Sequence, residues 1–178
     1  MKRLSLFVGL PGSGKSTLAH ALAGRLGAEI VDIDDFKRDV VDPTALSEGI
    51  DPPDVRWQYY RRALDHILGL FENGAEHVVT DEMFHVRELR ERIEAVCVQC
   101  GISVLWIEVR CTDAEVVSHL AVHPRKGHIL STEQTLRMRQ EVARVFDDFP
   151  CNANRLVVSN AGSVDDAVNM AHEWVCTR

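Results

Sequence analysis

Short apolar runs alternate along the chain with longer stretches in which apolar residues recur at helical spacing. Compact apolar runs are typical of buried strands, whereas apolar positions at i, i+3, i+4 and i+7 indicate one face of a helix. The pattern predicts strands at residues 4–8, 29–33, 77–80, 102–109 and 156–158. It predicts helices from about residue 18, at 54–71, 86–100, 132–146 and 164–175, and from a capping box at 112–115. Such alternation favours an α/β fold in three layers, with a parallel sheet between helices and ligands at the carboxyl ends of its strands.

A glycine-rich loop, which we call the P-loop, connects the first predicted strand to the first predicted helix. Residues 9–16 read G-x-x-x-x-G-K-S, and Thr17 follows directly. Glycines let successive backbone N–H groups point at phosphate oxygens, and the helix N-terminus adds partial positive charge. Lys15 would reach the β- and γ-phosphates from an exposed position in the empty loop, and Ser16 would bind Mg²⁺. We therefore predict a nucleoside triphosphate site formed by Gly9, Pro11, Gly12, Ser13, Gly14, Lys15, Ser16 and Thr17.

Composition narrows the setting of this predicted site. A chain of 178 residues suits one domain, residues 1–178. Its net charge of −7 argues against a surface that holds duplex nucleic acid. No apolar run reaches the roughly 18 residues of a membrane span, so we expect no contact with a bilayer. The five cysteines form an odd set, which favours a reducing cytoplasmic location.

Three acids follow the second predicted strand, where the crevice opens opposite the nucleotide. They are Asp32, Asp34 and Asp35. A kinase needs a carboxylate at this position to accept the proton of the attacking hydroxyl. The alternative is that one of these acids only caps the next helix. Because one residue can cap the helix while another remains available, we predict a catalytic acid in this group.

Asp81 and Glu82 end the third predicted strand. Asp81 holds the position at which P-loop proteins bind Mg²⁺ through a carboxylate, directly or through water. Glu82 allows an alternative function, that of an ATPase or nucleotide-sensing module, because an acid after this aspartate can polarise water in such proteins. The chain contains no Asn-Lys-x-Asp sequence, which disfavours a guanine-specific GTPase.

A basic segment follows the helix after the fourth predicted strand. We expect a small lid at about residues 122–131, where cations would cover the transferring phosphoryl group. The residues concerned are His119, His123, Arg125 and Lys126, with Arg137 and Arg139 as second candidates on the following helix. The spacing of His119 and His123 also suggests zinc, but no third ligand at fixed spacing completes such a site.

Three stretches together resemble the small P-loop kinases, a group that includes chloramphenicol phosphotransferase, the zeta toxins and the kinase domain of phage polynucleotide kinase. The stretches are residues 9–17, residues 32–37 and Asp81. Residues 81–84 and 104–111 look most like chloramphenicol phosphotransferase, whereas residues 32–37 look more like a zeta toxin. The resemblance implies a five-stranded parallel sheet in the order 2-3-1-4-5, ATP with Mg²⁺ as cofactors, and transfer to a hydroxyl.

The resemblance also implies residue roles. Asp34 matches the general base, Lys37 or Arg38 matches a basic residue that meets an anionic group of the substrate, and Arg125 falls where a lid arginine belongs. Together the residues and the resemblance predict Lys15, Asp34 and Arg125 as catalytic. They predict Ser16 and Asp81 as metal ligands, and Asp34, Lys37, Arg38 and Asp81 as substrate-binding.

The function predicted from the sequence is ATP-dependent transfer of a γ-phosphate to a hydroxyl of a small molecule. An antibiotic, a nucleotide sugar or another metabolite would serve as acceptor, and the acidic balance disfavours a nucleic-acid end. Residues 40–54 match nothing in the resemblance, so the identity of the acceptor should depend on them. An ATPase or nucleotide-sensing module that uses Asp81 and Glu82 remains the alternative.

Overall fold

The structure is a computed structural model that describes residues 1–41, 50–122, 131–151 and 153–178. Of the predicted lid, 122–131, only Ser131 and the backbone of Val122 are therefore described. His123, Arg125 and Lys126 lie outside the described residues.

The described residues contain five strands and seven helices. The strands are β1 (Arg3–Val8), β2 (Glu29–Asp32), β3 (His77–Glu82), β4 (Ser103–Arg110) and β5 (Arg155–Ser159). The helices are α1 (Lys15–Leu26), α2 (Ile33–Arg38), α3 (Pro53–Glu72), α4 (Arg87–Gln99), α5 (Asp113–Val122), α6 (Thr132–Arg144) and α7 (Val164–Cys176). Every strand and helix that the apolar pattern predicts is present, with ends that differ by a few residues.

All five strands are parallel, in the order β2-β3-β1-β4-β5, as the resemblance implies. The register places Asp81 beside Phe7 on one side and beside Asp32 on the other. The strands β2 and β3 therefore bring their terminal acids to the same edge of the sheet. The P-loop leaves β1 at that edge, so one crevice receives all three segments.

Two apolar cores cover opposite faces of the sheet, and β1 supplies both. Leu4, Leu6 and Val8 pack against α3 and α4 on one face, whereas Phe7 packs against α1 and α7 on the other. Alternate residues of a strand point to opposite faces, so a nearly continuous apolar run is what a strand buried on both sides requires. The result is the predicted three-layer α/β fold of the P-loop type.

The second strand is shorter than its sequence predicts. We expected a strand at residues 29–33, but it ends at Asp32, and Ile33 is already the first residue of α2. The reason is local: the Asp32 carboxylate accepts a hydrogen bond from the backbone N–H of Asp34 at 2.9 Å and caps α2. By contrast, the capping box predicted at 112–115 is present, with Thr112 and Glu115 exchanging hydrogen bonds.

Within the described residues, no helix combines the length and the apolar composition that a transmembrane span requires.

Candidate functional site

The P-loop places backbone N–H groups around the start of α1. Gly12 and Gly14 have φ angles of 75° and 89°, in the left-handed region that disfavours other residues. A Cβ on Gly12 would press on Val116 of α5 and Thr135 of α6, and a Cβ on Gly14 would collide with the amide of Asn160. The two glycines are therefore required by neighbouring side chains as well as by the backbone turn.

Asn160 supports the P-loop from the end of β5, a role that the sequence pattern does not reveal. Its side-chain amide donates to the carbonyl of Ser13 at 2.9 Å, and its backbone N–H donates to the carbonyl of Arg110 at 2.9 Å. Asn160 is only 4% exposed. The hydroxyl of Ser13 is buried and has no hydrogen-bond partner among the described residues, which leaves it available to a phosphate.

Lys15 folds back over the P-loop instead of extending into solvent. Its ammonium group donates to the carbonyl of Leu10 at 3.2 Å, and the residue is only 9% exposed. The expectation of an exposed Lys15 is therefore wrong, because the Leu10 carbonyl and the carboxylates of Asp81 and Glu82 attract the charge inward. The Lys15 charge lowers the pKa values of Asp81 and Glu82 against the effect of burial, so it lies within electrostatic reach of both.

Ser16 and Asp81, the two predicted metal ligands, are in direct contact. The Ser16 hydroxyl donates to Oδ2 of Asp81 at 2.9 Å. Burial raises the pKa of Asp81, while Lys15 and the Ser16 hydroxyl act in the opposite direction. A hydroxyl and a carboxylate facing one point at the P-loop are oxygen donors of the type that Mg²⁺ prefers, so this pair fits the ion.

Asp34 does not cap α2, since Asp32 does so, and its carboxylate lies within electrostatic reach of Asp81 and Glu82. No described residue donates a hydrogen bond to the Asp34 carboxylate. The side chain is exposed, yet surrounding protein raises its pKa, first by desolvation and then through the negative charges of Asp32, Glu82 and Asp81. Lys37 lowers this pKa. A carboxylate with a raised pKa and an open lone pair is suited to accept a proton.

Lys37 and Arg38, the two candidates for contact with an anionic substrate group, point to different places. The Lys37 ammonium lies 2.7 Å from Oδ2 of Asp51, in a half-buried position. Arg38 is exposed and pairs with the equally exposed Asp35. Lys37 therefore pairs in a half-buried position within electrostatic reach of Asp34, whereas Arg38 pairs at the surface.

Glu82 lies in a buried hydrogen-bond network. One oxygen accepts from Arg56 at 2.8 Å, and the other accepts from the Tyr60 hydroxyl at 2.6 Å and the backbone N–H of Phe84 at 2.9 Å. Arg56 is 1% exposed, so the pair is shielded from water. Although burial opposes ionisation, Arg56 and the hydrogen bonds lower the pKa of Glu82 to about 2.

The loop after Glu82 is held in an unusual backbone conformation. Phe84 has a φ of 44°, the only positive value among the described non-glycine residues. Its N–H is bound by Glu82, and its carbonyl accepts from Arg90 at 2.7 Å. Arg90 also donates to the carbonyls of Asp147 and Asp148, at 2.8 and 3.1 Å, so it ties this loop to the segment after α6.

Arg139, a second candidate lid cation, is 6% exposed and contacts the P-loop from α6. It donates to the Pro11 carbonyl at 3.3 Å, binds the carbonyl of Cys111, and pairs with Asp113 at 2.6 Å. Arg137 is exposed and pairs with Glu141 on the same helix. Of the predicted site residues, Ser16 contacts Asp81, and Lys15 lies within electrostatic reach of Asp81. Asp34 lies within electrostatic reach of Asp81 and Lys37, and Arg139 contacts the P-loop.

Solved structures of kinases have the same fold as this chain. A sugar kinase from Janibacter sp. HTCC2649 superposes with a TM-score of 0.77 at 18% identity, over 99% of this chain and 95% of that one. A gluconokinase from Sinorhizobium meliloti 1021 gives 0.69 at 20% identity, over 97% and 91%. The Mycobacterium tuberculosis APS kinase in complex with AMPPNP and APS gives 0.65 at 18% identity, over 98% and 97%.

No curated protein matches the chain by sequence. The finer resemblance to chloramphenicol phosphotransferase, the zeta toxins and polynucleotide kinase stays a prediction. The sequence model of the AAA_33 family, described as an AAA domain, matches residues 4–145, which is most of the chain. Together with the P-loop and the sheet order, this match shows that the chain belongs to the AAA_33 family.

Proposed function

We propose that the protein is an ATP-dependent phosphotransferase that moves the γ-phosphate to a hydroxyl of a small molecule. Residues 1–178 would act as one domain, with residues 122–131 as the lid and Arg125 as the lid cation over the phosphoryl group. We also propose that it acts in the cytoplasm, in line with five free cysteines. Its net charge of −7 supports a small acceptor over a nucleic acid.

The observation that carries the proposal is the contrast between Asp34 and Glu82. An ATPase of the alternative kind would use Glu82 to polarise the attacking water. Both oxygens of Glu82 already accept hydrogen bonds, and a pKa of about 2 makes this carboxylate a weak base. Asp34 has the opposite properties, with an open carboxylate and a raised pKa. The crevice is therefore better suited to activate a hydroxyl at Asp34 than water at Glu82.

The remaining roles follow from position. The P-loop N–H groups and Lys15 would bind the β- and γ-phosphates. Mg²⁺, held by Ser16 and Asp81, would supply positive charge against the charge that develops on the transferring group. Asp34 would accept the proton of the acceptor hydroxyl as that oxygen attacks phosphorus. Lys37, whose charge acts on Asp34, would contact the acceptor, whereas Arg38, which pairs with Asp35 at the surface, would act on the acceptor only from a distance.

The class of acceptor is also part of the proposal. Two of the similar structures are named a sugar kinase and a gluconokinase, which supports a hydroxylated metabolite as the acceptor. The neighbour crystallised with AMPPNP supports ATP as the phosphoryl donor.

A panel of acceptors tests the function. The purified full chain is incubated with Mg²⁺ and ATP, with and without sugars, sugar acids, nucleoside derivatives and aminoglycoside or phenicol antibiotics, and ATP consumption is measured. We expect slow consumption alone and a large increase with at least one acceptor. Fast consumption that no acceptor changes would favour the ATPase instead.

A further inference from the structure

Two donors and a nearby guanidinium group surround one carboxylate oxygen close to the candidate base. Oδ2 of Asp51 lies 2.7 Å from the Lys37 ammonium, accepts from the Tyr59 hydroxyl at 3.2 Å, and lies 3.9 Å from Nη2 of Arg56. We call Lys37, Arg56 and Tyr59 the anion cluster. Both cations also lie 5.9 Å from the centre of the Tyr59 ring, so the cluster is one packed unit.

Asp51 fills the anion cluster only in part. Nε and Nη2 of Arg56 are buried and have no hydrogen-bond partner among the described residues. The 3.9 Å separation between Nη2 and Asp51 is too long for a hydrogen bond. Buried donors are normally satisfied, so these two guanidinium nitrogens are free to donate to a further acceptor. An anionic group with two or three oxygens could reach Arg56 as well as Lys37 and Tyr59.

The charges of the cluster also favour an anionic group as its ligand. Glu82 already neutralises Arg56 at 2.8 Å, so the charge that Asp51 balances is that of Lys37. If Asp51 moved away, an incoming anion would restore neutrality, whereas a neutral acceptor would leave Lys37 unpaired in a half-buried position. The cluster also lies close to the candidate base, because Lys37 is one helical turn after Asp34 and its charge influences Asp34.

We propose that Asp51 occupies the subsite for an anionic group of the acceptor and leaves it when the acceptor binds. The acceptor is then a hydroxylated small molecule that bears a carboxylate or a phosphate, and Asp51 excludes neutral polyols because they cannot compete for Lys37. This inference rests on the proposed kinase function and defines the substrate class of the same site.

Matched probes and variants test the inference. Isothermal titration measures binding of D-gluconate, D-glucose 6-phosphate and the neutral D-glucitol to the full chain with Mg²⁺ and AMPPNP, in the wild type and in Asp51→Asn. Removing a competing like charge should tighten binding of the anionic probes by about five- to fiftyfold, and binding of D-glucitol by a clearly smaller factor, because only an anion gains the freed charge of Lys37. A preference for gluconate over glucose 6-phosphate identifies a carboxylate subsite, and the reverse identifies a phosphate subsite.

Controls separate the inference from general effects. Asp54→Asn removes an exposed acid from the start of α3, the helix that holds Arg56 and Tyr59. It should change none of the probe affinities. Adding Lys37→Gln to Asp51→Asn should reverse the gain, and thermal unfolding checks that each variant is folded. The inference is overturned if Asp51→Asn lowers the affinity for every probe, or changes the affinities for anionic and neutral probes by the same factor. It is also overturned if neither the wild type nor Asp51→Asn binds any anionic probe.

The same samples distinguish this inference from the proposed function. After AMPPNP is replaced by ATP, mass spectrometry detects any phosphorylated probe. Tighter anion binding in Asp51→Asn without any phosphorylated product would support the anion subsite and contradict the proposed kinase function. Phosphorylated product from neutral probes, at equal rates in both proteins, would support the kinase and contradict the anion subsite.

Discussion

The proposed nucleotide side of the crevice is formed mainly by backbone, whereas the proposed acceptor side is formed by buried charged side chains. On the nucleotide side, Gly12 and Gly14 shape a loop of N–H groups, and Asn160 supports it from β5. On the acceptor side, Arg56 and Glu82 pair at 2.8 Å and are shielded from water. The two sides should therefore respond differently to mutation. Substitutions on the nucleotide side should change phosphate contacts, whereas substitutions on the acceptor side should change the free energy of unfolding through paired charges.

The largest effect is expected at the candidate base, where the two sides meet. Asp34→Asn keeps the shape of the side chain but cannot take a proton, so transfer should fall by about 10²- to 10⁴-fold. Nucleotide affinity should be nearly unchanged, because Asp34 is not part of the P-loop. Transfer rates and ATP affinity are both measured, with Asp35→Asn as the matched exposed control. If Asp35→Asn is inactive and Asp34→Asn is active, the base is assigned to the wrong residue.

Lys15→Ala tests the nucleotide side. The loss of one charge that stabilises the transferring phosphoryl group should lower the transfer rate by about 10²- to 10³-fold. ATP affinity should fall too, because a charge-assisted hydrogen bond contributes about 1.5–3 kcal/mol. Lys2→Ala, a lysine before β1, is the control. A Lys15→Ala protein that binds and uses ATP normally would contradict the P-loop assignment.

Glu82→Gln tests the acceptor side, and its main effect should be on stability. The substitution leaves Arg56 buried without its counter-charge, so the free energy of unfolding should fall by about 3–5 kcal/mol. Glu82→Gln combined with Arg56→Met should recover part of this loss, because the unpaired charge is gone. Urea unfolding measures all variants.

Asp65→Asn is the control for this experiment. It breaks the exposed Arg61–Asp65 pair, and such pairs contribute about 0–1 kcal/mol. A Glu82→Gln protein as stable as the wild type, but without ATP hydrolysis, would indicate that Glu82 acts on water.

The smallest effect is a shift in pH dependence. Asp34 must be deprotonated to act, and its pKa is raised, so the rate should fall as the pH drops through that raised value. Lys37 holds the pKa of Asp34 down, so Lys37→Gln should move the acidic limb of the kcat/KM profile to higher pH. Arg38→Gln should shift it less, since Arg38 pairs with Asp35 at the surface. A shift to lower pH in Lys37→Gln would contradict this electrostatic account.

The sequence predicts the geometry of the P-loop and of the strand ends beside it well, because that geometry depends on local spacing; nucleotide binding by these residues stays a prediction. The P-loop glycines, Ser16 and Asp81 follow directly from strand ends, and the parallel sheet brings them together without further information. The sheet order itself came from the resemblance and is confirmed. By contrast, Asn160 was missed, because it reaches Ser13 from the far end of the chain.

The acceptor side depends on pairs that are distant in sequence, and local patterns do not reveal them. Arg56 lies on the apolar face of α3 and carries no signal that it meets Glu82. The exposure of Lys15 was predicted wrongly because attraction by the Leu10 carbonyl and by the carboxylates of Asp81 and Glu82 outweighs the solvation of its charge. Helix periodicity did locate α3, and an arginine at a position of its apolar stripe indicates a buried acidic partner, although not which acid it is.

The destination of the γ-phosphate tests the central claim most directly. The reaction is run with Mg²⁺, ATP and the acceptor panel in water enriched in ¹⁸O, and mass spectrometry follows the products of the wild type and of Asp34→Asn. We predict a phosphorylated acceptor without ¹⁸O in the wild type and little of it in Asp34→Asn, because the attacking oxygen comes from the acceptor. Inorganic phosphate carrying ¹⁸O, formed at the same rate with or without acceptors, would contradict the account.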